Sequence, residues 1–143
     1  MRANLHTWMS RAPLLLLFAA VACSGPGGKS PKVLFISKNR TNPYHAAIEK
    51  GVRLEAAEKK YVVEIVGPDR ETDYETQRLA LKKAASSHEY AAVILEPNHS
   101  TAFADELAAL DKEGIPFVVV DTPVAAYKSE LKRFCAFVGT DNY

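Results

Sequence analysis

The run Phe117-Val118-Val119-Val120 leaves a folded chain little choice. A strand with one wet face alternates apolar and polar side chains, whereas an unbroken apolar run is buried on both faces, as in a parallel sheet between helix layers. Similar runs stand at residues 33–37, 61–66, 91–95 and 134–138. The starts near 33, 61, 91 and 117 are spaced by roughly one βαβ unit. The segments between them carry helix signals. Asn42-Pro43 offers an N-cap followed by proline at the first helical position, opening a helix to about Lys60. Tyr44, Ala47, Ile48, Gly51 and Val52 follow helical spacing there, and Glu49, Lys50, Arg53 and Glu58 can face water. Gly67-Pro68 ends the second strand, and Thr72-x-x-Glu75 reads as a capping box for a helix to about Ser86. Pro97 stops the third strand; Ser100 or Thr101 is the expected cap of a helix through Glu113, closed by Gly114. Right-handed crossovers then require a doubly wound α/β fold with a parallel sheet. Ligands in such sheets sit beyond the carboxyl ends of the strands, at the switch point, which collects residues 37–44, 96–99 and 121–123 on one rim.

Residues 1–22 are expected to be an address rather than structure. Arg2 and Arg11 precede an apolar stretch with Leu14, Leu15, Leu16, Leu17 and Phe18, and no acidic residue occurs among them. This is a signal-peptide layout, too short for a lasting membrane span. Ala20-Val21-Ala22-Cys23 resembles a bacterial lipobox, with Cys23 as the residue to be acylated, and Ala20-Val21-Ala22 also suits ordinary signal peptidase. Residues 23–31 then form a flexible tether. A balance of 18 basic and 17 acidic residues gives no field to hold nucleic acid. Two cysteines provide no disulfide framework, and no Cys/His spacing fits a structural zinc site.

The rim decides the chemistry. Residues 37–42 contain no glycine, which disfavours a phosphate or dinucleotide cradle. They offer amides, hydroxyls and an aromatic ring instead, groups suited to a neutral polyol. Asn42 supplies a donor and an acceptor, Asp121 accepts from adjacent hydroxyls, and Tyr44 covers the C–H side of a sugar. Each also has a plain structural use: a cap, a turn residue and first-turn packing. His45 and Glu49, at i and i+4, read as a solvated pair rather than a metal or acid–base site. Ser37 lacks a nucleophile-elbow frame, and Cys135, in an apolar run, reads as a buried inert thiol. No catalytic constellation, metal site or cofactor site is expected.

These residues resemble the periplasmic sugar-binding proteins of ABC transporters, in the ribose-binding-like branch of the type I solute-binding family. The resemblance spans residues 32–143. It rests on Val33-Leu34-Phe35-Ile36-Ser37, Asn42-Pro43-Tyr44, Ile94-Leu95-Glu96-Pro97 and the stretch from Gly114-Ile115-Pro116 to Asp121. Val138-Gly139-Thr140-Asp141-Asn142-Tyr143 completes it. It implies two α/β lobes that close on a sugar and deliver it to a membrane permease, and it implies no enzyme. Asn42, Tyr44 and Asp121 take ligand-contacting positions in that pattern, with Ser37 at a strand end nearby. His45 replaces a second aromatic residue, and Thr122 replaces an arginine, which puts ribose itself in doubt. Thr140, Asp141 and Asn142 fall at the first hinge crossing, so the chain is expected to be an N-terminal lobe without its partner lobe. The implied setting is the periplasm or outer envelope face, with a lipid anchor. The alternative is a ligand-sensing domain that signals to a membrane receptor or kinase; a small flavodoxin-like enzyme is disfavoured by the glycine-free first loop.

Overall fold

In the computed structural model, residues 29–125 and 131–140 are described. The elements run β1 (Lys32–Ile36), α1 (Pro43–Glu58), β2 (Val62–Val66), α2 (Tyr74–Ser87), β3 (Ala92–Leu95), α3 (Ala104–Lys112), β4 (Phe117–Val120) and β5 (Phe134–Val138). All four strand pairs are parallel, and the sheet order is β2-β1-β3-β4-β5. Phe35 registers with Ile65 on one side and Ile94 on the other. The winding reverses between β1 and β3, so the switch point lies at their carboxyl ends, as the doubly wound reading requires.

Alternation within the strands decides what each face buries. Leu34, Ile36, Val93, Leu95, Phe117 and Val119 pack with Leu81, Ala84, Phe103, Leu107 and Leu110 from α2, α3 and the turn before α3 into one core. Each large side chain fully buried there stabilises the fold by about 1.5–3 kcal/mol. On the opposite face α1 buries only His45 and Ala56. Tyr44, placed among its apolar positions by spacing, is instead exposed, as is Leu54. An apolar groove of about 640 Å³ remains between α1 and the amino ends of β2, β3 and β4, lined by Val52, Ala56, Val63, Ile94, Val118 and Cys135.

Three local expectations are corrected. Asp73, one residue beyond Thr72, caps α2: its carboxylate accepts from the Thr76 N–H at 3.1 Å and the Thr76 hydroxyl at 2.7 Å. Neither Ser100 nor Thr101 caps α3; Phe103 holds the cap position with no side-chain bond, because burial of its ring fixes where the helix begins. Cys135 is exposed, since among the described residues no layer covers the outer part of β5. Gly114 behaves as expected, turning out of α3 with φ of 76°.

Candidate ligand-binding site

The rim is fixed from beneath. Gln77 of α2 has no exposed surface, and its amide donates to the Ser37 and Glu96 carbonyls, both at 2.8 Å, while accepting from the Asn98 N–H at 3.0 Å. It thereby satisfies the carbonyls where β1 and β3 diverge. Asn39 then shapes the loop toward α1: its side-chain oxygen accepts from the N–H groups of Thr41 at 2.7 Å and Asn42 at 2.9 Å. Asn42 caps α1, accepting from the Tyr44 N–H at 3.0 Å. That cap directs the Tyr44 ring outward over the rim.

Asp121 follows β4 with φ of 66°, and the Thr122 N–H donates to Val120 O at 2.9 Å. This i to i+2 bond around a positive φ is the rare, strained form of γ-turn. The turn lifts the carboxylate onto the rim. Lys38 Nζ lies 3.2 Å from Oδ2 and 3.0 Å from Thr122 Oγ1, and the Thr122 hydroxyl donates to Oδ2 at 3.0 Å. The Tyr44 hydroxyl donates to Oδ1 at 3.1 Å. Partial burial opposes ionisation of Asp121, but the Thr122 hydroxyl, the Lys38 ammonium and the Tyr44 hydroxyl outweigh it and hold the carboxyl below its ordinary range. The same hydrogen bond to Asp121 raises the Tyr44 phenol.

Tyr44, Asp121 and Thr122 thus converge, with Asn42 at the base of the same turn. Ser37 lies beneath them, 1% exposed, with its hydroxyl directed to Asn39 O at 3.3 Å and Glu96 at 3.4 Å. His45 does not form the solvated pair with Glu49. It is buried, with Nδ1 2.6 Å from Glu96 and Nε2 3.4 Å from Glu71, while Glu49 pairs with Arg53 at 2.8 Å. Thr140 is exposed just past β5, whereas Asp141, Asn142 and Cys23 lie outside the described residues. Lys38 and Glu96 fall within the rim expected from sequence but were given no role there, and Gln77 was not anticipated. A lysine directly after a buried strand, together with Thr122 where the family pattern has a cation, was the available signal for Lys38. An acid ending an apolar strand, the very cue that singled out Asp121, would have drawn attention to Glu96. Among the described residues no group of three or more metal-ligating side chains could hold an ion.

A carboxylate at a switch point, ringed by exchangeable hydroxyl and ammonium donors and flanked by an aromatic ring, is a geometry suited to holding a solute. Residues 33–143 match the periplasmic binding protein domain family, and the chain belongs to it. Comparison with curated proteins finds no match. Among solved structures, an ABC transporter periplasmic solute-binding protein from Actinobacillus succinogenes with bound D-allose is 25% identical, with a TM-score of 0.70 over 79% of this chain and 40% of that one. The periplasmic component of an ABC-type sugar transport system from Hahella chejuensis is 26% identical, with a TM-score of 0.70 over 79% of this chain and 39% of that one. A carbohydrate transporter solute-binding protein from Agrobacterium radiobacter, in complex with D-arabinose, shares the fold at 24% identity and a TM-score of 0.69, over 79% of this chain and 36% of that one. The chain therefore spans 36 to 40% of the length of these structures.

Proposed function

We propose that this chain is one lobe of an extracytoplasmic solute-binding protein that takes a sugar or polyol and feeds an ABC permease. The observation that carries the reading is the Asp121 carboxylate, raised on a strained turn and bonded, among the described residues, to side-chain donors from Lys38, Tyr44 and Thr122. A ligand with adjacent hydroxyls offers the same donors, so they exchange with little loss of bonding. Lys38 balances the carboxylate's charge, which suits a neutral ligand. The Tyr44 ring, 53% exposed, is placed to cover an apolar sugar face. Bound D-allose in a solved relative and the sugar-transport role of another support this class of ligand. The permease, periplasmic residence, a lipid anchor on Cys23, a hinge at Thr140, Asp141 and Asn142, and a second lobe beyond it belong to the same proposal.

The test is titration with pentoses, hexoses and polyols, followed by calorimetry and by NMR. A single lobe leaves half the ligand in water, so the chain alone binds no tighter than about millimolar, near −4 kcal/mol. Supplying the second lobe restores tight binding, and Asp121→Ala abolishes it. No response from any member of the panel with both lobes present overturns the reading.

A further inference from the structure

Glu96, directly after β3, has no exposed surface although it is a carboxylate. A carboxylate withdrawn from water must be met by donors. Three surround it. The Lys38 N–H donates to Oε2 at 3.1 Å, the Ser37 hydroxyl lies 3.4 Å from the same oxygen, and His45 Nδ1 lies 2.6 Å from Oε1. Two of these contacts lead on to one place. Lys38, its main chain held on Oε2, extends its ammonium to Asp121 Oδ2 at 3.2 Å. His45, its ring held on Oε1, meets Tyr44 edge-on, with centroids 5.2 Å apart and an angle of 81°, and the Tyr44 hydroxyl reaches Asp121 Oδ1 at 3.1 Å. Oδ2 is therefore met by a side chain whose own main chain rests on the buried carboxylate, and Oδ1 by a ring that packs on an imidazole held there.

We propose that Glu96 is a positioning residue that orients Asp121 for its ligand, acting through Lys38 on one side and through His45 and Tyr44 on the other. The proposal rests on the reading of Asp121 as the ligand-gripping group. Gln77 fixes the Glu96 main chain by its carbonyl, and Glu71 sits 3.4 Å from the far nitrogen of His45, so the imidazole is held at both ends. Ligand affinity then depends on a side chain with no exposed surface.

Glu96→Gln tests this with little change of volume. An amide oxygen accepts but an amide nitrogen only donates, so the contact at His45 Nδ1 must reverse its direction, with the imidazole proton moved to Nε2, or be lost, and either change loosens the hold on that arm. The readout is the carboxyl titration of Asp121, followed by carbon-13 NMR in the ligand-free 143-residue chain. In Glu96→Gln it should rise toward the ordinary aspartate range, and sugar affinity measured by NMR, with the second lobe supplied, should fall about tenfold, as for the loss of one oriented hydrogen bond. Glu106→Gln, which alters another buried carboxylate away from the rim, should leave both unchanged. If Glu96→Gln does not fold, His45→Asn decides, because it keeps a donor near the Nδ1 position and removes the ring that meets Tyr44; it too should raise the Asp121 titration. An Asp121 titration unmoved in whichever variant folds, or moved equally by Glu106→Gln, overturns the proposal. A wild-type chain that binds no sugar even with its second lobe would sink the functional reading instead, and the ligand-free titration would still judge Glu96.

Discussion

Asp121 holds a conformation that its side chain disfavours. A positive φ brings Cβ against the neighbouring main chain, at a cost of about 1–2 kcal/mol for a residue other than glycine. The strain holds the carboxylate outward, where Lys38, Thr122 and Tyr44 meet it. Two substitutions separate the terms. Asp121→Ala loses the carboxylate and keeps the strain; Asp121→Gly loses the carboxylate and releases it. The glycine variant should be the more stable of the two by about 1 kcal/mol in urea denaturation, the reverse of the usual order inside regular structure. Equal stabilities would mean that the turn stores nothing. Asp121 was legible because a charged residue ending an apolar strand is conspicuous in one dimension. Lys38 was not, because its ammonium meets a partner 83 positions away in sequence. His45 misled for a related reason: spacing along a helix pairs it with Glu49, but the sheet supplies a buried carboxylate that spacing cannot reveal.

At the scale of elements, the first loop owes its shape to a close approach. Gly67 lies against the Ser37 carbonyl, such that a Cβ would sit 2.7 Å from that oxygen and 3.1 Å from Arg40 Cγ. The Ser37 carbonyl has little room to give, since the Ser37 N–H is bonded to Val66 O at 2.8 Å and its oxygen accepts from the Gln77 amide at 2.8 Å. Gly67→Ala should cost about 1–3 kcal/mol as overpacking and should weaken sugar binding through displacement of Lys38. Thermal unfolding together with ligand titration checks both, and an unchanged melting temperature would refute the crowding. The strands β1 to β4 were legible to within a residue or two, because continuous Val, Ile and Leu runs have one stable use in a chain of this composition. The helix starts were less so. Thr72, Asp73, Ser100 and Thr101 all carry capping side chains, and tertiary burial of Phe103 selects among the options for α3 in a way that local sequence does not record.

For the molecule as a whole, stability is unevenly placed. The face under α2 and α3 is closed, and β5 has four of its five residues exposed. Val138, 57% exposed on this edge strand, offers an apolar pairing surface. Val138→Lys should raise the soluble monomeric fraction, measured by light scattering, with sugar binding unchanged; no gain in solubility would clear the edge of blame. Acid provides a second global test. Glu64, through its hydrogen bond from Lys32, and Asp73, through that from Thr76, are held below their ordinary ranges, as is Asp121. A carboxyl that is a stronger acid folded than unfolded contributes stability in full above its unfolded pKa and loses it as pH falls toward the folded value. Urea midpoints should therefore decline below about pH 4, less steeply in Glu64→Gln, and a flat profile would contradict these interactions. The fully enclosed Gln77 has the widest reach. One amide, enclosed beneath the rim, joins the two strands at which the winding reverses. On the proposed reading, recognition and scaffolding lie at different positions: libraries randomised at 38, 44 and 122 should yield folded proteins with new solute preferences, provided that position 77 stays glutamine. The chain can change what it holds without changing how it stands.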